Sequence, residues 1–198
     1  MITRLEKCIS LSLDAQLNAS GTLENHPLAS EWFVKYCGVY YSPYYTFMYY
    51  LGKEFNPELS LELGVEQGRG LAALASGTSN DIIGVDVAHA STLNDVLNKY
   101  KNITFFKSTS TSIAIVNHIL STRKRIGLLH FDTAHTYDQV MNEYRMYKSV
   151  LAEDAILLFD DTHAADDSVL KAVNELPLKW RKHEDRLHPI CGYAVGLL

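Results

Sequence analysis

The spacing of apolar residues changes character near residue 58. Before it the chain is helical in pattern and rich in aromatics. Tyr44, Phe47, Met48 and Leu51 recur at i, i+3, i+4 and i+7, which places them on one helix face. Ser42-Pro43 supplies a helix start, with Ser as N-cap and Pro in the first turn, and Asn56-Pro57 supplies the stop. Beyond it, short apolar runs alternate with helical stripes. The runs predict strands at 59–63, 82–86, 103–107, 126–131 and 155–159, with two closing strands near 178–183 and 192–198. Helices are predicted at 68–76, along the stripe Leu93, Val96, Leu97 and Tyr100, and along the face Ile113, Val116 and Leu120. Two more follow, one carrying Val140, Tyr144, Tyr147 and Leu151, the other at 167–176. Thr136-x-x-Gln139 reads as a capping box for the first of these. Runs 126–131 and 155–159 are almost continuously apolar, as expected of strands buried on both faces.

Strands alternating with helices imply βαβ units. The predicted fold is therefore α/β: a Rossmann-like, doubly wound, mostly parallel seven-stranded sheet with helices on both faces and an N-terminal helical segment. Residues 1–57 form that aromatic-rich segment, a lid, substrate or interface element. Residues 58–198 form the core.

Composition narrows the function classes. With 198 residues, 47% apolar and 21% charged, the chain has ample material for one core and is not disordered. Its net charge is −5, and its basic clusters (Arg123-Lys124-Arg125 and Lys179, Arg181, Lys182) are short, which argues against a nucleic-acid footprint. No apolar run approaches the roughly 20 residues of a membrane span. Glu6, Lys7 and Asp14 interrupt any signal-peptide core at the start. Three cysteines without a CxxC spacing favour neither a zinc site nor a disulfide framework, so a cytoplasmic location is expected.

Parallel sheets bind ligands beyond the carboxyl ends of their strands, and the chemistry of this chain is concentrated there. The first strand runs into Glu62-Leu63-Gly64-Val65-Glu66-Gln67-Gly68-Arg69-Gly70. Gly64 allows a sharp turn close to a ligand, and Gly68 lets the next helix begin beside it. Asp86 ends the second strand, about 20 residues further on, where a carboxylate can hold ribose hydroxyls. The fourth and fifth strands end in Asp132 and in Asp160-Asp161. Carboxylates beside apolar strands must be solvated, paired or bound to a cation. Three clustered oxygen ligands suit a hard divalent ion such as Mg²⁺.

The register Glu62-x-Gly64-x-x-x-Gly68 resembles motif I of the class I S-adenosylmethionine (SAM)-dependent methyltransferases. The resemblance implies that the glycine turn lies against the methionine part of SAM, that Asp86 holds its ribose, and that Ser108 and Thr109 flank its adenine. Relatives often carry an Asp in that last segment, and this chain has Lys107-Ser108-Thr109-Ser110 instead. Residues 128–163 resemble the small metal-dependent O-methyltransferases and the cephalosporin-hydroxylase-like group that shares their fold. That likeness implies metal ligation by Asp132, Asp160 and Asp161, with Asp132 also beside the cofactor. His135 and His163, in the strand-end loops, are candidate proton acceptors. The expected activity is O-methylation of a small-molecule or sugar hydroxyl with Mg²⁺ assistance. An NAD-dependent oxidoreductase, a hydroxylase-like enzyme on the same fold and a non-catalytic SAM-binding subunit are the rival readings.

His26, His89, His118, His183 and His188 have no comparable placement and read as incidental. Tyr44 reads as core, and Tyr40, Tyr41 and Tyr45 as the rim of the active site. The aromatic N-terminal segment makes a homodimer plausible.

Overall fold

A computed structural model describes residues 1–18, 27–28, 43–164 and 166–198. Tyr40, Tyr41 and Ser42 lie outside these residues. The described helices are α1 (Ile2–Asn18), α2 (Pro43–Phe55), α3 (Arg69–Gly77), α4 (Leu93–Lys99), α5 (Ile113–Thr122), α6 (Tyr137–Tyr147) and α7 (Ser168–Glu175). The strands are β1 (Leu59–Leu63), β2 (Asp81–Asp86), β3 (Ile103–Lys107), β4 (Ile126–Phe131), β5 (Leu151–Asp160), β6 (Trp180–His183) and β7 (Tyr193–Leu197).

The strands form one sheet in the order β3-β2-β1-β4-β5-β7-β6. The first five are parallel, β7 runs antiparallel to β5, and β6 antiparallel to β7. This is the seven-stranded, mostly parallel Rossmann-like sheet that the alternation of patterns predicts.

Strand alternation sends successive side chains to two separate cores. Leu157 and Phe159 face a layer built on α5, α6 and α7, through Ile115, Ile119, Val140, Tyr147 and Val173. Ile156 and Leu158 face a layer built on α1 to α4, through Leu5, Phe47, Leu51, Leu71 and Val96. The two described helices of the N-terminal segment, α1 and α2, therefore pack as part of the second layer. The α2–α3 contact is close because both helices offer glycine. A Cβ on Gly77 would fall 2.2 Å from the Tyr49 carbonyl oxygen, and one on Gly52 would fall 3.0 Å from that of Leu74.

Two predicted faces are corrected. On α5 the buried residues are Ile115, Val116 and Ile119, whereas Ile113 and Leu120 are 62% and 54% exposed. This helix is apolar around most of its circumference, so periodicity cannot choose its inward side. Leu151 does not belong to the α6 stripe. A 3₁₀ turn at Lys148–Val150 ends that helix, and Leu151 opens β5 opposite Ile126. The capping box is half formed: Thr136 accepts from the Gln139 N–H, but the Gln139 side chain turns inward instead.

Tyr147 ties α6 to the loop after β3. It is fully buried, and its hydroxyl donates to the Ser110 carbonyl at 2.5 Å. Tyr147→Phe leaves that carbonyl unpaired and is expected to cost about 1 kcal/mol. A thermal melt should show a fall of about 2–4 °C. An unchanged melting temperature would mean that the bond contributes nothing net.

Candidate active site

The strand order reverses between β1 and β4, and ligands bind at such a switch point. A cavity of about 700 Å³ opens there, beyond the carboxyl ends of the parallel strands. Its walls come from the loops after β1 to β5, from Tyr44 and Tyr45 of α2, and from His188.

The loop after β1 forms one wall. Gly64 and Gly68 have φ of +86° and +83°, and Glu66 between them has +47°. Gly64 donates to the Val85 carbonyl, and Asp132 donates to that of Leu63, at 2.9 Å each. These bonds carry the parallel ladder one step past the strands. Space is as restrictive as torsion: a Cβ on Gly64 would fall 1.7 Å from the Asp132 carbonyl oxygen. Gly68 does not line the cavity. It turns the chain into α3, and its missing side chain leaves room for Leu93 and Val96.

Asp86 lines the cavity but is already engaged. One carboxylate oxygen accepts the N–H groups of Val65 and Glu66, and the other that of Ala88, all at 2.8 Å. A carboxylate offers about four acceptor positions, so at most one stays open to a ribose hydroxyl. Asp86 thus shapes the glycine loop as well as facing the ligand. Burial alone would raise its pKa, but the backbone donors outweigh burial and hold it below the ordinary range. A lowered folded pKa adds stability above the unfolded value near 3.9, and that stability is lost as pH falls through the folded value. Asp86→Asn should therefore melt below the parent at pH 7, with the gap narrowing below about pH 4. A gap independent of pH would show that charge on Asp86 is immaterial.

Ser108, Thr109, Ser110 and Thr111 form the wall after β3. A buried network supports it. Gln139 donates to Ser110 Oγ and to Glu143 at 2.8 Å each, and Thr133 donates to the same Glu143 oxygen at 2.8 Å. Glu143 has no exposed surface, and burial pushes its carboxyl pKa up against these donors.

The opposite end of the cavity carries the carboxylates. Phe131 and Phe159 pair across β4 and β5 and stack at 4.8 Å, which fixes Asp132 and Asp160 directly beyond them. His135, in a left-handed conformation at φ +50°, bridges two carboxylates. Its Nε2 is 3.1 Å from Asp132 and its Nδ1 is 3.3 Å from Asp161. The hydrogen bond to Asp132 raises its pKa against the effect of burial, and Asp161 adds to the rise. Carboxylates against both ring nitrogens favour the doubly protonated ring over the neutral one. His188 lies 2.8 Å from Asp160 and 3.4 Å from Asp161, and the Asp160 bond raises its pKa in the same way. Tyr44 closes this end, in contact with His188 and stacked on Tyr193.

Glu62 reaches the cavity from the sheet. It pairs in register with His130 on β4, and Glu62 Oε1 is 3.0 Å from His130 Nδ1. Gly70 makes room for it, because a Cβ there would fall 1.9 Å from the same oxygen. Burial lowers the His130 pKa, but Glu62 and Asp132 outweigh it and lift the value to about 9.

The cavity thus gathers Glu62, Gly64, Asp86, Ser108, Thr109, Asp132, His135, Asp160 and Asp161. The three strand-end carboxylates fall into two groups among the described residues. Asp132 and Asp160 converge with His130, and Asp161 converges with His188 and Cys191. His163 is not brought to the cavity; it sits between Asp167 and Asp185, at 3.0 and 3.2 Å. Its loop returns to the chain near Cys191, whose carbonyl accepts the His163 N–H, and this turns the ring outward. Sequence reasoning missed His188, His130 and Glu143. Tyr45 lines the cavity as expected, and Tyr44 is both core and wall.

Residues 61–162, from β1 to just past β5, match the model of the family described as "Methyltransferase domain". No curated protein matches the chain. Among solved structures, cofactor-bound Rv0187 from MTB superposes with a TM-score of 0.68, covering 93% of this chain and 94% of that one at 14% identity. A candidate caffeoyl-CoA O-methyltransferase from Staphylococcus aureus gives 0.64, with 94% and 99% covered at 10% identity. A candidate O-methyltransferase from Klebsiella pneumoniae gives 0.62, with 96% and 89% covered at 10% identity. At these identities the likeness is one of fold. Among the described residues no helix is long and apolar enough to cross a membrane.

Proposed function

The chain belongs to the methyltransferase-domain family, and from that premise we propose that its cavity binds SAM and directs the methyl group to a hydroxyl of a small molecule or sugar, assisted by a divalent cation. The observation that carries this reading is the continuity of the cavity. One volume joins the glycine loop, Asp86 and the Ser108–Thr109 wall to the strand-end carboxylates. The structural likeness to candidate O-methyltransferases from two bacteria supports oxygen as the acceptor atom.

The cofactor supplies an electrophilic methyl on a positively charged sulfur, and the protein supplies orientation and electrostatics. Asp86 and Ser108 hold the nucleoside end. Arg69 is the one Lys or Arg on the described lining, and it sits at the start of α3. It is suited to the carboxylate of the methionine part, with the helix N–H groups beside it. Asp132 and Asp160, the strand-end carboxylates that converge, would hold the cation, whose chemistry there is to lower the pKa of the acceptor hydroxyl and fix its direction. Tyr44 and Tyr45 offer flat, polar-tipped surface to the acceptor. For His135 to accept a proton it must hold one proton, not two. One of its carboxylate contacts then gives way to the hydroxyl.

The test is to supply the purified protein with radiolabelled SAM and a panel of phenols, catechols, sugars and amines. Label is expected in oxygen acceptors. Transfer to amines alone, or to nothing although SAM binds, would contradict the proposal.

A further inference from the structure

Glu62 Oε2, His130 Nε2 and the Tyr193 hydroxyl are buried without a hydrogen-bond partner. They lie on the sheet face beneath the cavity, where Glu62 pairs with His130 and Asp160 with Tyr193 across adjacent strands. His130 is the informative member. It is 1% exposed, and an unpaired ring nitrogen at such a place is destabilising unless something fills the gap.

The other ring nitrogen shows what fits. Nδ1 lies 3.0 Å from Glu62 Oε1, so Glu62 occupies that nitrogen, and Nε2 is the one left for a further ligand. A carboxylate behind the remote ring nitrogen is the arrangement that orients a metal-ligating imidazole. One ring nitrogen of His130 lies with one carboxylate oxygen each of Asp132 and Asp160, all within 4.8 Å of one another, and Nε2 is the ring nitrogen without a partner. An ion about 2.0–2.4 Å from each donor fits that span.

We infer that His130 is a nitrogen ligand of a cation shared with Asp132 and Asp160, with Glu62 as its orienting carboxylate. This rests on the reading of the cavity as a cation-assisted methyl-transfer site, and it changes which ion belongs there. A mixed imidazole and carboxylate set favours a divalent transition ion such as Mn²⁺, Co²⁺ or Zn²⁺ over Mg²⁺, which prefers oxygen donors alone. It also gives Glu62, a cavity residue, a physical link to the ion.

The probe is Mn²⁺ bound to the purified full chain, read by pulsed electron paramagnetic resonance for coupling to ¹⁴N. The inference expects ¹⁴N coupling in the parent and in His135→Gln, and its loss in His130→Gln. Mn²⁺ affinity should fall about 10–100-fold in Glu62→Gln, since orienting partners carry effects of that size. Absence of ¹⁴N coupling, its persistence in His130→Gln, or Mg²⁺ affinity equal to that for Mn²⁺ would overturn it. If His130→Gln does not fold, the parent with Zn²⁺ and ¹⁵N-labelled histidine decides. A buried imidazole nitrogen should move to the metal-bound position, and no movement overturns the inference. Titration with S-adenosylhomocysteine separates the two readings. Binding without ¹⁴N coupling sinks this inference alone, whereas no binding sinks the methyl-transfer reading whatever Mn²⁺ does.

Discussion

Gly64→Ala is expected to remove cofactor binding and to destabilise the fold. A side chain at this position faces two separate penalties. The backbone sits at φ +86°, where an L-residue is strained by about 1–2 kcal/mol. The new Cβ would also lie 1.7 Å from the Asp132 carbonyl oxygen, far inside contact distance. That oxygen belongs to backbone, so no rotamer change relieves the clash. Overpacking of this kind adds about 1–3 kcal/mol. The sum, about 3 kcal/mol or more, should lower the melting temperature by roughly 6–12 °C for a chain of this length. The functional effect should exceed the thermal one. The clash is resolved only by parting the ends of β1 and β4, which moves the glycine loop and the Asp132 carboxylate together. Calorimetric titration with S-adenosylhomocysteine checks this: the variant should give no measurable binding where the parent saturates. Parental binding in the variant would show that the turn does not shape the site.

Asp132→Asn is expected to produce the largest purely catalytic loss. The substitution keeps the backbone bond from the Asp132 N–H to Leu63, so the loop should hold its place. It removes a charge that His135 Nε2 touches at 3.1 Å and that converges with Asp160 and His130. Removal of one preorganised electrostatic contact at a reacting centre costs about 10²–10³-fold in turnover. S-adenosylhomocysteine affinity should fall by less than about tenfold, because most nucleoside contacts lie on the other walls. Steady-state kinetics alongside the titration separate the two effects. Turnover within a few-fold of the parent would remove Asp132 from the chemistry.

Much of this architecture was legible in the sequence, for identifiable reasons. Strands buried on both faces must be nearly continuous apolar runs, so β4 and β5 announce themselves. A charged residue that ends such a run must sit at the carboxyl end of its strand, and this locates Asp132 and Asp160 without coordinates. What escaped depends on register and on loops. The pairing of Glu62 with His130 follows from how β1 sits against β4, which no local pattern encodes. A histidine inside an apolar strand beside a motif carboxylate was the available signal for it. His188 reaches Asp160 from the irregular stretch between β6 and β7, where periodicity carries no information. Glu143 looks like an ordinary polar residue of an amphipathic helix, yet it anchors the loops carrying Ser110 and Thr133. The double use of Asp86 was equally invisible. Its position at the end of β2 is readable, but its bonds to Val65 and Glu66 exist only once β1 and β2 lie side by side.

The most direct measurement is calorimetric titration of the parent and of Asp86→Ala with S-adenosylhomocysteine. One ligand per chain is expected in the parent, and affinity in Asp86→Ala should fall at least about tenfold, the loss of roughly one good hydrogen bond to a charged group. No heat of binding at millimolar ligand, or equal affinity in both proteins, would contradict the assignment of this cavity to the cofactor.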